Sequence, residues 1–181
     1  MRRRRQKKPK GRARRQGKDD RCMTRVLVVS DTHGNERALW QALEEQPTAR
    51  VVFHLGDGAR EAEEAASRCP DREFHLVRGN SDWGRFGQLA ETGMAIVAGK
   101  RIFFTHGHPY GVKMGLYRVA CAARERRADV LLFGHTHEPL VDYDDGLYIL
   151  NPGSLSYGRP TYGLLDITEA GIVPHTVPLR S

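Results

Sequence analysis

Five times along the chain a short apolar run stops beside a glycine and a residue able to bind a metal or a proton. Val26-Leu27-Val28-Val29 leads into Asp31-Thr32-His33-Gly34, and Val51-Val52-Phe53-His54-Leu55 into Gly56-Asp57. The stretch from Glu73 to Val77 leads into Gly79-Asn80-Ser81-Asp82, Ile102-Phe103-Phe104 into His106-Gly107, and Val130-Leu131-Leu132-Phe133 into Gly134-His135-Thr136-His137. Short runs rich in β-branched residues read as buried strands. Glycine permits the sharp turns and close backbone approach that a site at a strand end needs. Helical segments separate the first three runs. One covers residues 35–46 with the stripe Ala38, Leu39, Ala42, Leu43 and stops at Pro47; the other covers residues 59–69 and closes at Pro70. Alternation of strand and helix argues for a parallel sheet with helices packed on it, and such sheets gather ligands beyond the carboxyl ends of their strands.

The rhythm changes after Asp82. Residues 86–106 hold short strand-like runs with a hairpin turn expected at Gly99-Lys100, and residues 112–127 read as a helix. From residue 139 on, four hairpin-like strands follow, at 140–143, 147–150, 162–167 and 172–177, with Asp144-Asp145-Gly146 as a turn. The expectation is an α/β core with a mostly antiparallel second half.

The formal charge of +7 is unevenly placed. Residues 1–22 carry twelve Lys or Arg against two Asp, whereas the remaining 159 residues carry 17 basic and 20 acidic residues. With only Met1, Ala13 and Cys22 as apolar residues, the first 22 cannot offset their ordering entropy and are expected to form a disordered basic tail. Such a tail could tether nucleic acid or anionic lipid, although it has no interleaved aromatic for base stacking. Met23-Thr24-Arg25 directly precedes the first strand and reads as the start of the domain, residues 23–181. A body of this size buries roughly two-thirds of its unfolded surface and needs no stapling. Cys22, Cys69 and Cys121 are odd in number and form no Cys-x-x-Cys pair, which fits a reducing cytoplasm. No run approaches the roughly 20 apolar residues of a membrane span.

Taken singly, Asp31 or Asp57 could cap the following helix and Asn80 could form a turn. His54, His75 and His175 lie inside strand-like runs and read as structural, and His108 could reach a substrate phosphate or merely follow its loop. Converging on one rim, however, Asp31, His33, Asp57, Asn80, His106, His135 and His137 bring two Asp, one Asn and four His together. No Ser or Cys at a strand end partners a base, so a hydrolytic triad is not indicated. Imidazole with carboxylate suits Zn, Mn, Fe or Co rather than Ca or Mg. Seven ligands exceed one tetrahedral site and suit two metals about 3.5–4 Å apart sharing a carboxylate and a hydroxide. His135 and His137, two apart on a segment expected to be extended, would point to opposite sides, each serving a different metal.

The ordered set Asp31-x-His33, Gly56-Asp57, Gly79-Asn80-x-Asp82, His106 and Gly134-His135-x-His137 resembles the calcineurin-like metallophosphoesterase superfamily. With Asn151-Pro152-Gly153-Ser154 and the short chain, it is similar to the small bacterial and archaeal phosphodiesterases within it. The resemblance implies a single-domain, four-layer αββα sandwich binding two divalent transition metals, with manganese first in expectation and zinc, iron or nickel as alternatives. It implies Asp31, His33 and His137 on one metal, Asn80, His106 and His135 on the other, and Asp57 as the bridge. It also implies in-line attack of a metal-bridging hydroxide on phosphorus, with Asn80 and His106 as the catalytic contacts to a small-molecule or nucleotide phosphodiester. Many relatives place His after the Gly-Asn pair, where it is thought to protonate the leaving group; here that residue is Ser81. A hydroxyl is too weak an acid for that task near neutral pH, so diesters with good leaving groups are the expected substrates. Two other functions share these features: a non-enzymatic interaction scaffold on the same fold, as in retromer, and a nuclease aided by the basic tail. All seven ligand positions carry coordinating residues, which favours the enzyme. Neither physiological substrate nor oligomeric state is encoded in a recognisable motif.

Overall fold

The structure is a computed structural model describing residues 23–180. The basic stretch 1–22, expected above to be disordered, lies outside the described residues. The elements run β1 (Thr24–Val29), α1 (Glu36–Glu45), β2 (Val51–His54), α2 (Ala59–Arg68), β3 (Glu73–Leu76), β4 (Thr92–Val97), β5 (Lys100–Thr105), α3 (Tyr117–Glu125), β6 (Val130–Leu132), β7 (Pro139–Asp144), β8 (Leu147–Pro152), β9 (Thr161–Thr168) and β10 (Gly171–Pro178). They form two five-stranded sheets, ordered β10-β9-β1-β2-β3 and β4-β5-β6-β8-β7. Each sheet is mixed: β1, β2 and β3 run parallel, as do β5, β6 and β8, with antiparallel strands outside them.

Alternating side chains explain the layers. In β1, Val26 and Val28 enter a core between the sheets with Phe53, Phe104, Leu132 and Leu150. Leu27 and Val29 face the other way, onto Ala38, Leu39, Ala42 and Leu43 of α1. In the second sheet Ile102, Phe104, Val130 and Leu132 point inward. Phe103 and Leu131 point outward onto Val119, Ala120 and Ala123 of α3. A strand covered on both faces must be apolar at every position, which is why these runs are continuous rather than alternating. The result is the αββα sandwich expected from the resemblance. Truncating a side chain such as Leu39, 1 % exposed, to Ala should cost about 2–5 kcal/mol.

Three expectations need correction. The strand ends converge on one rim, but that rim belongs to two stacked sheets whose parallel strands point the same way, not to one sheet. The helix expected over 112–127 starts at Tyr117: Gly111 and Gly115 have φ of 64° and 144°, leaving only short 3-10 turns before them. The β4–β5 hairpin turns at Ala98-Gly99, with φ of 48° and 75°, one residue earlier than expected. Two positive φ angles match the right-handed twist of paired strands, and the Asp145-Gly146 turn between β7 and β8 repeats the device with 42° and 84°.

Candidate metal centre

The carboxyl ends of β1, β2 and β3 present Asp31 and His33, Asp57 and Asn80; those of β5 and β6 present His106, His135 and His137. The sandwich brings all seven together. Asp31, His33 and His137 form one group and Asp57, His106 and His135 another, the ligand atoms of each lying within 4.8 Å of one another. In the first, His137 Nε2 is 3.1 Å and His33 Nε2 3.7 Å from Asp31 Oδ1. In the second, His106 Nε2 is 3.1 Å from His135 Nδ1, 3.5 Å from Asp57 Oδ2 and 3.2 Å from Asn80 Oδ1. Asp57 Oδ2 is also 3.8 Å from His33 Nε2, so this carboxylate lies between the groups.

The backbone under these side chains is unusual. Asp31, His33, Asp57, His135 and His137 all have positive φ, between 43° and 70°. Non-glycine residues reach this region only when their surroundings hold them there. For His135 and His137 this corrects the sequence expectation: the segment is a left-handed bend, not an extended strand, and the two rings separate because the bend turns them apart. Close approach fixes the glycines. A side chain at Gly79 would collide with Asp57 Oδ1, and one at Gly134 with Ser30 Oγ.

Several holding residues were weakly signalled or missed. Asp82 accepts from four backbone N–H groups. Its Oδ2 takes Asp57 N at 2.9 Å and Gly79 N at 2.8 Å; its Oδ1 takes Gly58 N at 3.0 Å and Ala59 N at 2.9 Å. It thereby caps α2 and ties the β2 loop to the β3 loop. Ser81 donates twice to Asp57, from N to Oδ1 at 2.7 Å and from Oγ to Oδ2 at 3.1 Å. Buried Glu61 accepts from Gly34 N. Asn151 donates to Gly134 O and Thr136 Oγ1, and Ser154 Oγ donates to Asp31 O, so the Asn-Pro-Gly-Ser stretch fastens the β1 and β6 loops. Tyr157 had no sequence signal: its ring stacks on His137 with centroids 4.7 Å apart and meets His33 edge-on at 5.0 Å. Trp83, directly after Asp82, is 78 % exposed. His54 and His75 are structural as expected: the first is buried in hydrogen bonds to Thr32 and Gly56, and the second stacks on Phe53. His108 packs beside His106 and His135, with Nε2 3.6 Å from Glu91.

The electrostatics suit cations. Asp31 Oδ2 accepts from Ser30 Oγ and His135 N, but Oδ1, fully buried, has no hydrogen-bond partner. A buried carboxylate oxygen facing two imidazole nitrogens with nothing to accept fits a bound cation. Burial pushes the Asp57 carboxyl up, but the hydrogen bond and charge of His106 and the bonds from Ser81 outweigh it, so it stays well below the usual range. Asp31 is lowered in the same way, burial being overcome by His33, His106 and Ser30. Burial and then the His106 charge hold His135 down to about 4, leaving its ring neutral and ready to ligate. His106 Nδ1 donates to Leu55 O at 2.8 Å, which fixes the ring so that Nε2 faces the second group.

A sandwich with such a rim defines a class. The sequence profile of the calcineurin-like phosphoesterase superfamily domain matches residues 24–170, and the chain belongs to that superfamily. It is a metal-dependent phosphoester hydrolase. Among curated relatives, a phosphodiesterase of Methanocaldococcus jannaschii is 36% identical over 172 residues, spanning 78% of this chain and 92% of the relative. Among solved structures, a Streptococcus pneumoniae protein described as a predicted phosphoesterase superposes with a TM-score of 0.74 at 23% identity, covering 86% of this chain and 90% of that one. Vacuolar Protein Sorting 29 of Cryptosporidium parvum gives 0.69 at 19% identity, covering 88% and 93%. At those identities the two structures speak to the fold alone. No helix among the described residues is long and apolar enough to cross a membrane.

Proposed function

We propose that the chain is a phosphodiesterase that works with two divalent transition-metal ions, manganese first and zinc, iron or nickel as alternatives. Asp31, His33 and His137 would hold one ion and Asn80, His106 and His135 the other, with Asp57 shared. The observation that carries this reading is the place of Asp57 Oδ2, 3.8 Å from His33 of one group and 3.5 Å from His106 of the other. Bound there, the ions supply Lewis acidity toward phosphoryl oxygens and an activated water at neutral pH for in-line displacement.

The protein's own groups set the rest. Asn80 turns Oδ1 toward His106; its Nδ2 donates one N–H to Ser81 Oγ at 3.3 Å and keeps a second able to donate to a phosphoryl oxygen. Ser81 is occupied in orienting Asp57 and brings no acid for a leaving group. Diesters with good leaving groups therefore suit the site better than monoesters. The relative named a phosphodiesterase supports the same preference.

The test is hydrolysis of bis(p-nitrophenyl) phosphate and p-nitrophenyl phosphate by chelator-treated protein, with and without added Mn. Metal-restored turnover favouring the diester is expected. A strong monoester preference overturns the diesterase reading, and folded protein inactive with every divalent metal favours the interaction scaffold.

A further inference from the structure

Next to the metal centre lies a cleft of about 340 Å³ lined by Arg37, Arg159 and Arg180, with Asn35, Gln41 and Pro160 among its walls and no acidic residue in its lining. Its position follows from the chain. Asn35 stands two residues after His33 and joins the cleft to the site loop, donating from Nδ2 to Leu155 O at 3.0 Å. Tyr157, stacked on His137, lies between: Arg159 follows it by two residues, a reach of at most ~7 Å. Chain adjacency thus ties the arginine cleft to the loops that carry His33 and Tyr157.

Arg25, Arg60, Arg78 and Arg124 each pair with a carboxylate. Among the described residues no such pair forms at Arg37 or Arg159, and Glu36 on the same helix is engaged by Arg60. Glu45 offsets Arg180 only in part, accepting from its backbone N–H at 3.1 Å. In a body whose residues 23–181 carry more acid than base, a cleft lined by three arginines and flanked by one carboxylate, Glu45, is a local reversal of sign. Guanidinium groups bind phosphate oxygens in paired hydrogen bonds.

We infer that this cleft receives a second phosphate of the substrate, so that the preferred diester is nucleotide-like: a scissile phosphate at the metal centre, a base against Tyr157 and a further phosphate among Arg37, Arg159 and Arg180. The outer part of the Tyr157 ring is free for such stacking, the residue being 54 % exposed. This inference rests on the phosphodiesterase reading above.

The experiment compares the 5′- and 3′-(p-nitrophenyl phosphate) esters of thymidine, whose nitrophenolate leaves without a proton, with the same esters carrying a second phosphate on the other hydroxyl, under Mn and beside bis(p-nitrophenyl) phosphate. One doubly phosphorylated form is expected to show a kcat/KM about tenfold above its parent ester, carried by KM. That ratio falls about threefold in Arg37→Gln or Arg159→Gln, approaches one in the double variant, and survives in part in the Lys variants. Calorimetry on chelator-treated protein should show the same order of affinity without turnover. A preference complete in these esters assigns the second phosphate to a single nucleotide; one still growing as nucleotides are added assigns it to a nucleic-acid strand. Equal kcat/KM for the parent and doubly phosphorylated esters, with bis(p-nitrophenyl) phosphate still hydrolysed, overturns the cleft alone. Loss of that hydrolysis as well overturns the phosphodiesterase reading.

Discussion

In the Asp57–His106–His135 group two of the three side chains are held in place by hydrogen bonds within the protein. The His106 side chain is 0% exposed and anchored to Leu55 O, Asp57 takes two bonds from Ser81, and Asp82 pins the backbone beneath. In the Asp31–His33–His137 group the imidazoles are 20% and 30% exposed, Asp31 Oδ1 has no partner, and the outer wall is the ring of Tyr157. One half is organised by internal hydrogen bonds; the other keeps an unmet acceptor and an open, aromatic edge. Preorganisation on one side and access on the other suit a site that must hold an ion firmly and still admit an ester.

The sharpest way to break this contrast is at the shared carboxylate. Asp57→Asn should lower kcat/KM for bis(p-nitrophenyl) phosphate by about a thousandfold or more and weaken both ions. Asp31→Asn should release chiefly one, so equilibrium dialysis with Mn would read a loss of about half the bound metal; equal losses in the two variants would refute separate groups.

Asp82→Ala comes next. It leaves four N–H groups without their acceptor and should cost about 2–4 kcal/mol in urea unfolding, while Mn affinity falls more at the Asp57 group than at the Asp31 group. A neutral result would show that water replaces the carboxylate.

Under both loops lies His54, where burial lowers the pKa to about 4. Its Nδ1 accepts from Gly56 N at 3.2 Å, so protonation there breaks a bond. Unfolded, the ring titrates near 6.5, so between about pH 6.5 and 4 the unfolded chain binds the extra proton. This contribution is complete above pH 6.5 and is lost as pH falls toward 4, up to ~3 kcal/mol. Urea unfolding of metal-free His54→Gln should have a correspondingly flatter acid limb; an unchanged slope would remove His54 from the account.

The smallest effect is expected at the aromatic wall. Tyr157→Ala should raise KM about three- to tenfold, whereas Tyr157→Phe should behave as the unaltered protein because stacking, not the hydroxyl, makes the contact. Equal effects of both changes would assign the role to the hydroxyl instead.

Much of this was legible in the residues. The stripe Ala38, Leu39, Ala42, Leu43 is the buried face of α1, and all seven expected ligand residues meet at the rim. Such features are local: a period of 3.6 or a strand that stops at glycine is visible in a few residues. The four bonds of Asp82 and the stacking of Tyr157 were not legible, because a turn aspartate and a loop tyrosine look alike in sequence whether or not anything folds against them. The start of α3 was misplaced because the sequence shows Gly111 and Gly115 but not that both adopt positive φ.

By itself, then, the sequence determined the strand ends, the residue types they carry and hence the affinity for cations, since apolar pattern and donor chemistry are properties of the chain. Only the tertiary structure decided that β1–β3 and β5–β8 divide into two sheets whose carboxyl ends face the same way. Only it placed Asp57 between two groups, left Asp31 Oδ1 without a partner and set an arginine cleft beside them. Those outcomes depend on packing between segments far apart in the chain, where burial and hydrogen bonding, not local propensity, select the arrangement.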